Sequence, residues 1–559
     1  MFKHLTTLAV SLGLLVAVSA PAAAYEGLFS DVPATHWAAE TVETASKKGL
    51  MQGTGDGRFG LEESITRSAF VTVLCRMFSW PLLSPVTPTF SDVPVAEWYY
   101  PSVETAAAHG VLPAGDRFRP TDFITRADMA EMLVRALGYG PLEATVAKLP
   151  SPFSDVSENG FINIAYDVGM TVGSTAADGT AHFNPYDRAT REEAAAMLLR
   201  VYDRYTQKID WLHAFYYAGS YPRMDLTANA DGVSVCWAKM EYDPIKGAVL
   251  NTTKANGNSW REPADSYLVT DVLAQNGTTC NLAVSGTTGK SVTLPDGTKT
   301  NVVAAILATK ESRKQAIDLL VAAVSVPKYS GLNMDFEGLK SADTYKANYT
   351  AFMGELRAAL PPDKTLYVCV QPSDWYKGFD FKALGEICDK VILMAHDYRH
   401  SFNDSYIGTT KTDNPDSPLT RVYGALRQIT DPVTGVQDRS KIALAISFAN
   451  SAIEVDKDNK MLSTTVYGPT YDVVAKRLKQ KDTVIDYNEA YGTSHAFYYG
   501  DDGERYSLWY EDALSVTAKV KLARMFGING ISVWFLGSVP TDNTPGLNYN
   551  AWSALLNER

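Results

Sequence analysis

Residues 331–337 read Gly331-Leu332-Asn333-Met334-Asp335-Phe336-Glu337. In an extended strand successive side chains point to opposite faces. Leu332, Met334 and Phe336 therefore share one face, and Asn333, Asp335 and Glu337 share the other. The apolar face suits a covering helix layer. The polar face would then point into the centre of a barrel, where branched aliphatic residues are usual. Two carboxylates side by side in a poorly solvated place repel each other, so one pKa rises and that group stays protonated near neutral pH. A protonated acid beside an ionised partner is the equipment for glycosidic cleavage. The competing reading is a buried polar cluster held only by hydrogen bonds.

From about Ile209 to the end of the sequence, strand-like runs alternate with helical ones, a pattern that predicts an α/β fold with a parallel sheet. Candidate strands are 212–217, 232–238, 302–308, 331–337, 366–371, 390–395, 441–448 and 530–534. Eight strands in this span fit a TIM (β/α)8 barrel with insertions, whose active site lies at the C-terminal strand ends.

The polar row resembles the fourth-strand signature of glycoside hydrolase family 18, Asp-x-x-Asp-x-Asp-x-Glu. Here it reads Ser330-x-x-Asn333-x-Asp335-x-Glu337, in a form similar to the spore-germination and cortex-lytic branch. Met394-Ala395-His396-Asp397-Tyr398 resembles the sixth-strand Met-x-Tyr-Asp motif, with His396 where tyrosine is usual. Gly530-Ile531-Ser532-Val533-Trp534 resembles the eighth strand, whose tryptophan floors the cleaved sugar's subsite, and Trp509-Tyr510-Glu511-Asp512 resembles the germination branch. The resemblance spans residues 209–559 and implies a small α+β insertion at about 450–507. It implies Glu337 as general acid and base, Asp335 holding the substrate acetamido N–H, and His396 and Asp397 completing the catalytic end. Trp534, Asn333, Met394 and Tyr216 would contact substrate. It implies hydrolysis of β-1,4 bonds in N-acetylglucosamine glycans, peptidoglycan or chitin-like, with retention and with no metal or organic cofactor. On a regular strand Asp397 points away from His396, which leaves the imidazole without its neighbour as a partner. A non-catalytic carbohydrate-binding or structural protein on the same barrel is the alternative, and the presence of Glu337 favours the enzyme.

Upstream, Phe-Ser-Asp-Val occurs at 29–32, 90–93 and 153–156. Each copy continues with an aromatic (Trp37, Trp98, then Phe161) and a helix ending at Gly49, Gly110 or Gly169, where glycine suits a left-handed cap. A loop follows, then Thr66-Arg67, Thr125-Arg126 or Thr190-Arg191, where the threonine caps a second helix. An arginine in a first helical turn gains nothing from the helix dipole, so its recurrence points to an external anion. Packing of each tryptophan and internal pairing of each arginine is the competing reading. These units resemble the S-layer homology domain, in three small, mostly α-helical repeats at 26–85, 86–148 and 149–205. The resemblance implies binding of an anionic secondary cell-wall polymer by Trp37, Arg67, Trp98, Arg126 and Arg191. The third copy lacks the tryptophan.

The length of 559 residues predicts several domains, and a hydrophobic content of 46% suffices for large cores. Lys3, the apolar run 5–18 and Ala22-Ala23-Ala24 have the layout of a signal peptide over residues 1–24, which predicts a secreted protein of the bacterial cell wall with no membrane span after cleavage. The net charge of −12 does not suit nucleic acid. Five scattered cysteines do not form a disulfide framework, and no spacing predicts a metal site.

Overall fold

The computed structural model describes residues 27–264 and 267–559. The expected export signal at 1–24 lies outside them. Among the described residues no helix is long and apolar enough to cross a membrane. The chain divides into two compact units, one of residues up to 129 with 186–199, the other of 130–185 with 200–559.

In the first unit the three Thr-Arg segments close a ring. Ile65 N–H donates to the Ala189 carbonyl (3.1 Å), Ile124 N–H to that of Ile65 (3.0 Å), and Ala189 N–H to that of Ile124 (2.9 Å). Ring closure pairs backbone groups that three separate short loops would leave unpaired, which explains why the third segment belongs to the same unit as the first two. Each threonine then starts a helix. The side chains of Thr66, Thr125 and Thr190 accept from the N–H groups of Ala69, Asp128 and Glu193. The shorter helices Ala39–Lys47 and Tyr100–Ala108, and Gly160–Asp167 of the second unit, run out into glycines with φ of 73°, 66° and 73° at 49, 110 and 169.

The second unit contains a closed barrel of eight parallel strands. They are β1 (Trp211–Tyr216), β2 (Gly232–Asp243), β3 (Thr279–Thr287), β4 (Gly331–Glu337), β5 (Thr365–Val370), β6 (Lys390–Leu393), β7 (Ile442–Ser447) and β8 (Gly530–Trp534). Each pairs with the next, and β8 pairs with β1. One expected strand is wrong. Residues 302–307 form an α-helix, Val302–Leu307, and the third strand is β3. A short apolar run does not tell helix from strand by periodicity. Here the Asn301 side chain accepts the Ala304 N–H at 2.9 Å and starts a helix, while Asn281 and Ser285 break the apolar pattern of β3.

The alternation read from β4 holds. Phe336 faces outward, stacked 5.8 Å from both Tyr349 and Phe352 of the helix Ala342–Ala359. Asn333 faces inward and donates to Ser234 Oγ at 2.9 Å. Ser234 and Ser532 lie 2.8 Å from the two ring nitrogens of His213, which burial holds neutral with its pKa pushed down to about 3. The barrel floor is thus polar but satisfied, as buried polar groups must be. Between β7 and β8 lies a five-stranded antiparallel sheet, 451–510, with the helix Tyr471–Leu478 against it. After it, Asp512 caps the helix Ala513–Met525, and the adjacent Glu511 makes a fully buried 2.7 Å ion pair with Lys519.

Candidate active site

Asp335 is 3% exposed on the inner wall of the barrel, and its Oδ1 has no hydrogen-bond partner among the described residues. Burial first and the charge of Glu337 second push its pKa well above the usual carboxylate range, while the Cys369 thiol beside it opposes the shift. Glu337, at the end of β4, reaches into an open pocket shared with Gln371, Tyr376, Met394, His396 and Asp397. Its surface is accessible, yet it stands between protein walls. Loss of water and the Asp397 charge raise its pKa, and His396 pulls it back. Both carboxyls of the cleft thus have raised pKa values with burial as the first cause, and the Glu337 charge adds to the shift of Asp335.

His396 and Asp397 depart from the strand expectation. β6 ends at Leu393, and Asp397 takes a left-handed backbone with φ 61°. That turn brings its carboxylate back to the imidazole, and His396 Nδ1–H donates to Asp397 Oδ2 at 3.0 Å. Burial alone would lower the His396 pKa. The bond to Asp397, with the charges of Asp397, Asp416 and Glu337, overrides this and raises it. The same bond draws Asp397 down to about 2. Arg399 lies 3.3 Å from Asp397 and 2.8 Å from the buried Asp416. His396, Asp397 and Asp416 bring ligand atoms within 4.8 Å of one another, a set that a cation could use, but Arg399 already supplies positive charge there.

Trp534 packs inside the barrel mouth against Phe215 (5.1 Å) and Trp260 (6.2 Å), and its peptide bond to Phe535 is cis. Met394 lines the pocket. Tyr216 is a correction. His213 and Phe215 occupy the inward positions of β1, so alternation turns Tyr216 outward, where it is 2% exposed. Tyr217 is the residue that faces Phe535. Sequence reading also missed Trp375, Tyr376 and Arg421. The first two follow the C-terminal end of β5, and that position is the signal that could have found them.

In the repeats, Trp37 and Trp98 are 61% and 64% exposed. The arginines have internal partners, as the competing reading has it. Arg67 is buried, donating to the Phe118 carbonyl (2.9 Å) and to Asp128 (2.6 Å). Arg126 donates to Glu193 (2.7 Å), and Arg191 donates to the carbonyls of Phe59 (2.8 Å) and Gln52 (2.7 Å). The first repeat thus reaches the second, the second the third, and the third the first. The recurrence follows from the ring, because each helix start lies against the neighbouring repeat. Phe161, in place of a tryptophan, sits under Arg135 at 4.8 Å.

The closed parallel barrel thus carries two carboxylates, Asp335 and Glu337, on its fourth strand. Residues 282–538 match the family described as Glycosyl hydrolases family 18, and residues 28–71 and 89–130 match the S-layer homology domain. The two matches fall on separate parts of the chain. An S-layer protein of Bacillus thuringiensis subsp. finitimus is 27% identical over 205 residues, 36% of this chain, and the chain spans only 24% of that protein. Among solved structures, the Bacillus cereus spore cortex-lytic enzyme SleL is 18% identical, covering 63% of this chain and 75% of that one, with a TM-score of 0.47. The chitinase-like agglutinin RobpsCRA from Robinia pseudoacacia is 22% identical, covering 61% and 99%, with a TM-score of 0.46.

Proposed function

We propose that this protein is an exported, wall-anchored glycosidase that hydrolyses β-1,4 bonds beside N-acetylglucosamine by substrate-assisted retention. The carrying observation is the pair Asp335 and Glu337. The upper carboxyl keeps its proton beyond the usual range, and the lower one has a buried oxygen with no partner. Glu337 protonates the leaving oxygen while the substrate's acetamido oxygen attacks the anomeric carbon. Asp335 Oδ1 accepts the acetamido N–H and steadies the positive charge of the oxazolinium ion. His396 has its Nδ1 on Asp397, and its Nε2 has no partner among the described residues, so it donates to the acetamido oxygen. Glu337 then activates water. Trp534 forms the floor on which the sugar stacks.

The anchor belongs to the same reading. The family match covers two repeats, and the inference of a third is supported by the backbone ring. It is also supported by Asp155, which accepts the N–H groups of Phe183 and Asn184 as Asp92 accepts those of Phe118 and Arg119. Exposed Trp37 and Trp98 are assigned to the wall polymer.

The test uses the full chain on N-acetylglucosamine oligomers and on purified peptidoglycan, with products read by mass spectrometry. Glu337→Gln is expected to lower turnover by about 10²–10⁴-fold while glycan binding survives. Wild-type turnover in that variant would overturn the assignment. Glycan binding with no turnover by the wild type would favour the carbohydrate-binding alternative.

A further inference from the structure

The pocket around Glu337 extends past the catalytic groups to the loop after β5 and the start of the helix Leu419–Ile429, where it is lined by Trp375, Tyr398 and Arg421. Trp375 is 53% exposed, so its ring has surface for a sugar. The guanidinium of Arg421 lies over that ring, 5.4 Å from its centroid. Arg421 is exposed, and among the described residues no carboxylate or carbonyl binds its guanidinium. The two aspartates of this wall are engaged. Asp397 is held by His396 and Arg399, and Asp374 accepts from the Gln428 amide. Gln428 belongs to the same helix as Arg421, and its oxygen accepts from the Ser373 N–H (2.8 Å) and hydroxyl (2.9 Å). One helix therefore both presents the arginine and pins the loop that carries the tryptophan. That arrangement is pre-organised for a sugar face beside a planar anion, which a guanidinium meets with paired hydrogen bonds.

We propose that Trp375 and Arg421 form a subsite for a carboxylate-bearing sugar, so that the glycan taken by this cleft is acidic rather than a neutral homopolymer. The inference rests on the glycosidase reading of the same cleft. Trp375 and Arg421 belong to the β5–β6 side of the mouth, and β7 separates β6 from the strand that carries Trp534. The two stacking residues thus address different sugars of one chain. The matching ligand is an N-acetylhexosamine with a lactyl ether carboxylate, alternating with N-acetylglucosamine.

The experiment compares kcat/KM of the full-length protein on three soluble substrates. These are an N-acetylglucosamine oligomer, an alternating oligomer with free lactyl carboxylates, and the same oligomer with the carboxylates methyl-esterified. The wild type is expected to prefer the free acid over its ester by about 10- to 100-fold, the scale of a charge-assisted hydrogen bond. Arg421→Gln should bring that ratio close to one, and Arg421→Lys should leave an intermediate ratio that falls with added salt. An acid-to-ester ratio near one in the wild type, or one unchanged in Arg421→Gln, overturns this inference while the glycosidase reading stands. Absence of wild-type turnover on all three substrates overturns both.

Discussion

His396 Nδ1–H donates to Asp397 Oδ2 at 3.0 Å, although the two residues are adjacent in sequence. A regular strand would send them to opposite faces. The left-handed backbone at Asp397, just beyond the end of β6, reverses that direction. The carboxylate beside it favours the charged form of His396, which shares its pocket with Glu337.

The first prediction follows from that charge. The His396 pKa is raised, so its share of the pair's stability is complete below about 6.5 and is lost as pH rises through the raised value. The Asp397 share is complete above about 3.9 and is lost as pH falls towards 2. The pair is therefore intact between these limits. Within that window the imidazolium lowers the Glu337 pKa. His396→Tyr is expected to move the basic limb of the kcat/KM profile to higher pH and to remove the stability loss on the alkaline side. Profiles of both forms on one N-acetylglucosamine oligomer are the check, and superimposable profiles would refute it.

Asp335 should trade stability for function. A carboxyl whose folded pKa is raised costs stability as pH climbs above its unfolded value of about 3.9. Asp335→Asn removes the ionisable group, so its melting temperature should exceed that of the wild type at pH 7, with the gap closing towards pH 4. Turnover should fall by about 10²–10³-fold, the scale of losing one pre-organised electrostatic contact. Equal melting temperatures at both pH values would show that the buried carboxyl carries no such cost.

The arginine ring predicts a stability effect in place of a simple binding effect. Arg67→Ala breaks a bond to the Phe118 carbonyl and the pair with Asp128. A loss of about 2–3 kcal/mol is expected, allowing for the partial exposure of Asp128. Thermal unfolding of the full chain reads it directly. Pelleting with intact and polymer-stripped wall sacculi, compared with Trp37→Ala and Trp98→Ala, separates polymer contact from folding. Weak pelleting of Arg67→Ala with unchanged stability would return the arginine to the polymer.

Lys519 and Glu511 provide a fourth test. Both are buried, and Ser417 Oγ also donates to Glu511 at 3.1 Å. Lys519→Met should cost about 3–5 kcal/mol by leaving a buried carboxylate unpaired. The double change Lys519→Met with Glu511→Leu should recover most of that loss, and a double variant no more stable than the single one would contradict it.

Two kinds of order were readable from the residues alone. The threefold recurrence of Phe-Ser-Asp-Val and Thr-Arg marks units whose caps and glycines act within a few residues. The alternation in 331–337 places the carboxylates because strand geometry has a period of two. Local geometry determines both. What the residues alone did not reveal depends on groups far apart in sequence or on a single torsion. β3 is hidden because Asn281 and Ser285 interrupt its apolar run, Asn281 being bonded to Leu332 and Thr365 on other strands, and its expected place is taken by a helix that one asparagine begins. Tyr216 faces away from the site because the phase of β1 is set by His213 bonding to Ser234 and Ser532, far along the chain. The arginines looked like ligands for an outside anion because their partners lie in neighbouring repeats. Only the closed barrel decides which loops share the mouth with Glu337, and so only the tertiary structure brings Trp375 and Arg421 together. The physical reason is that a charge or a ring acquires its role from what surrounds it, and packing, not adjacency, supplies the surroundings.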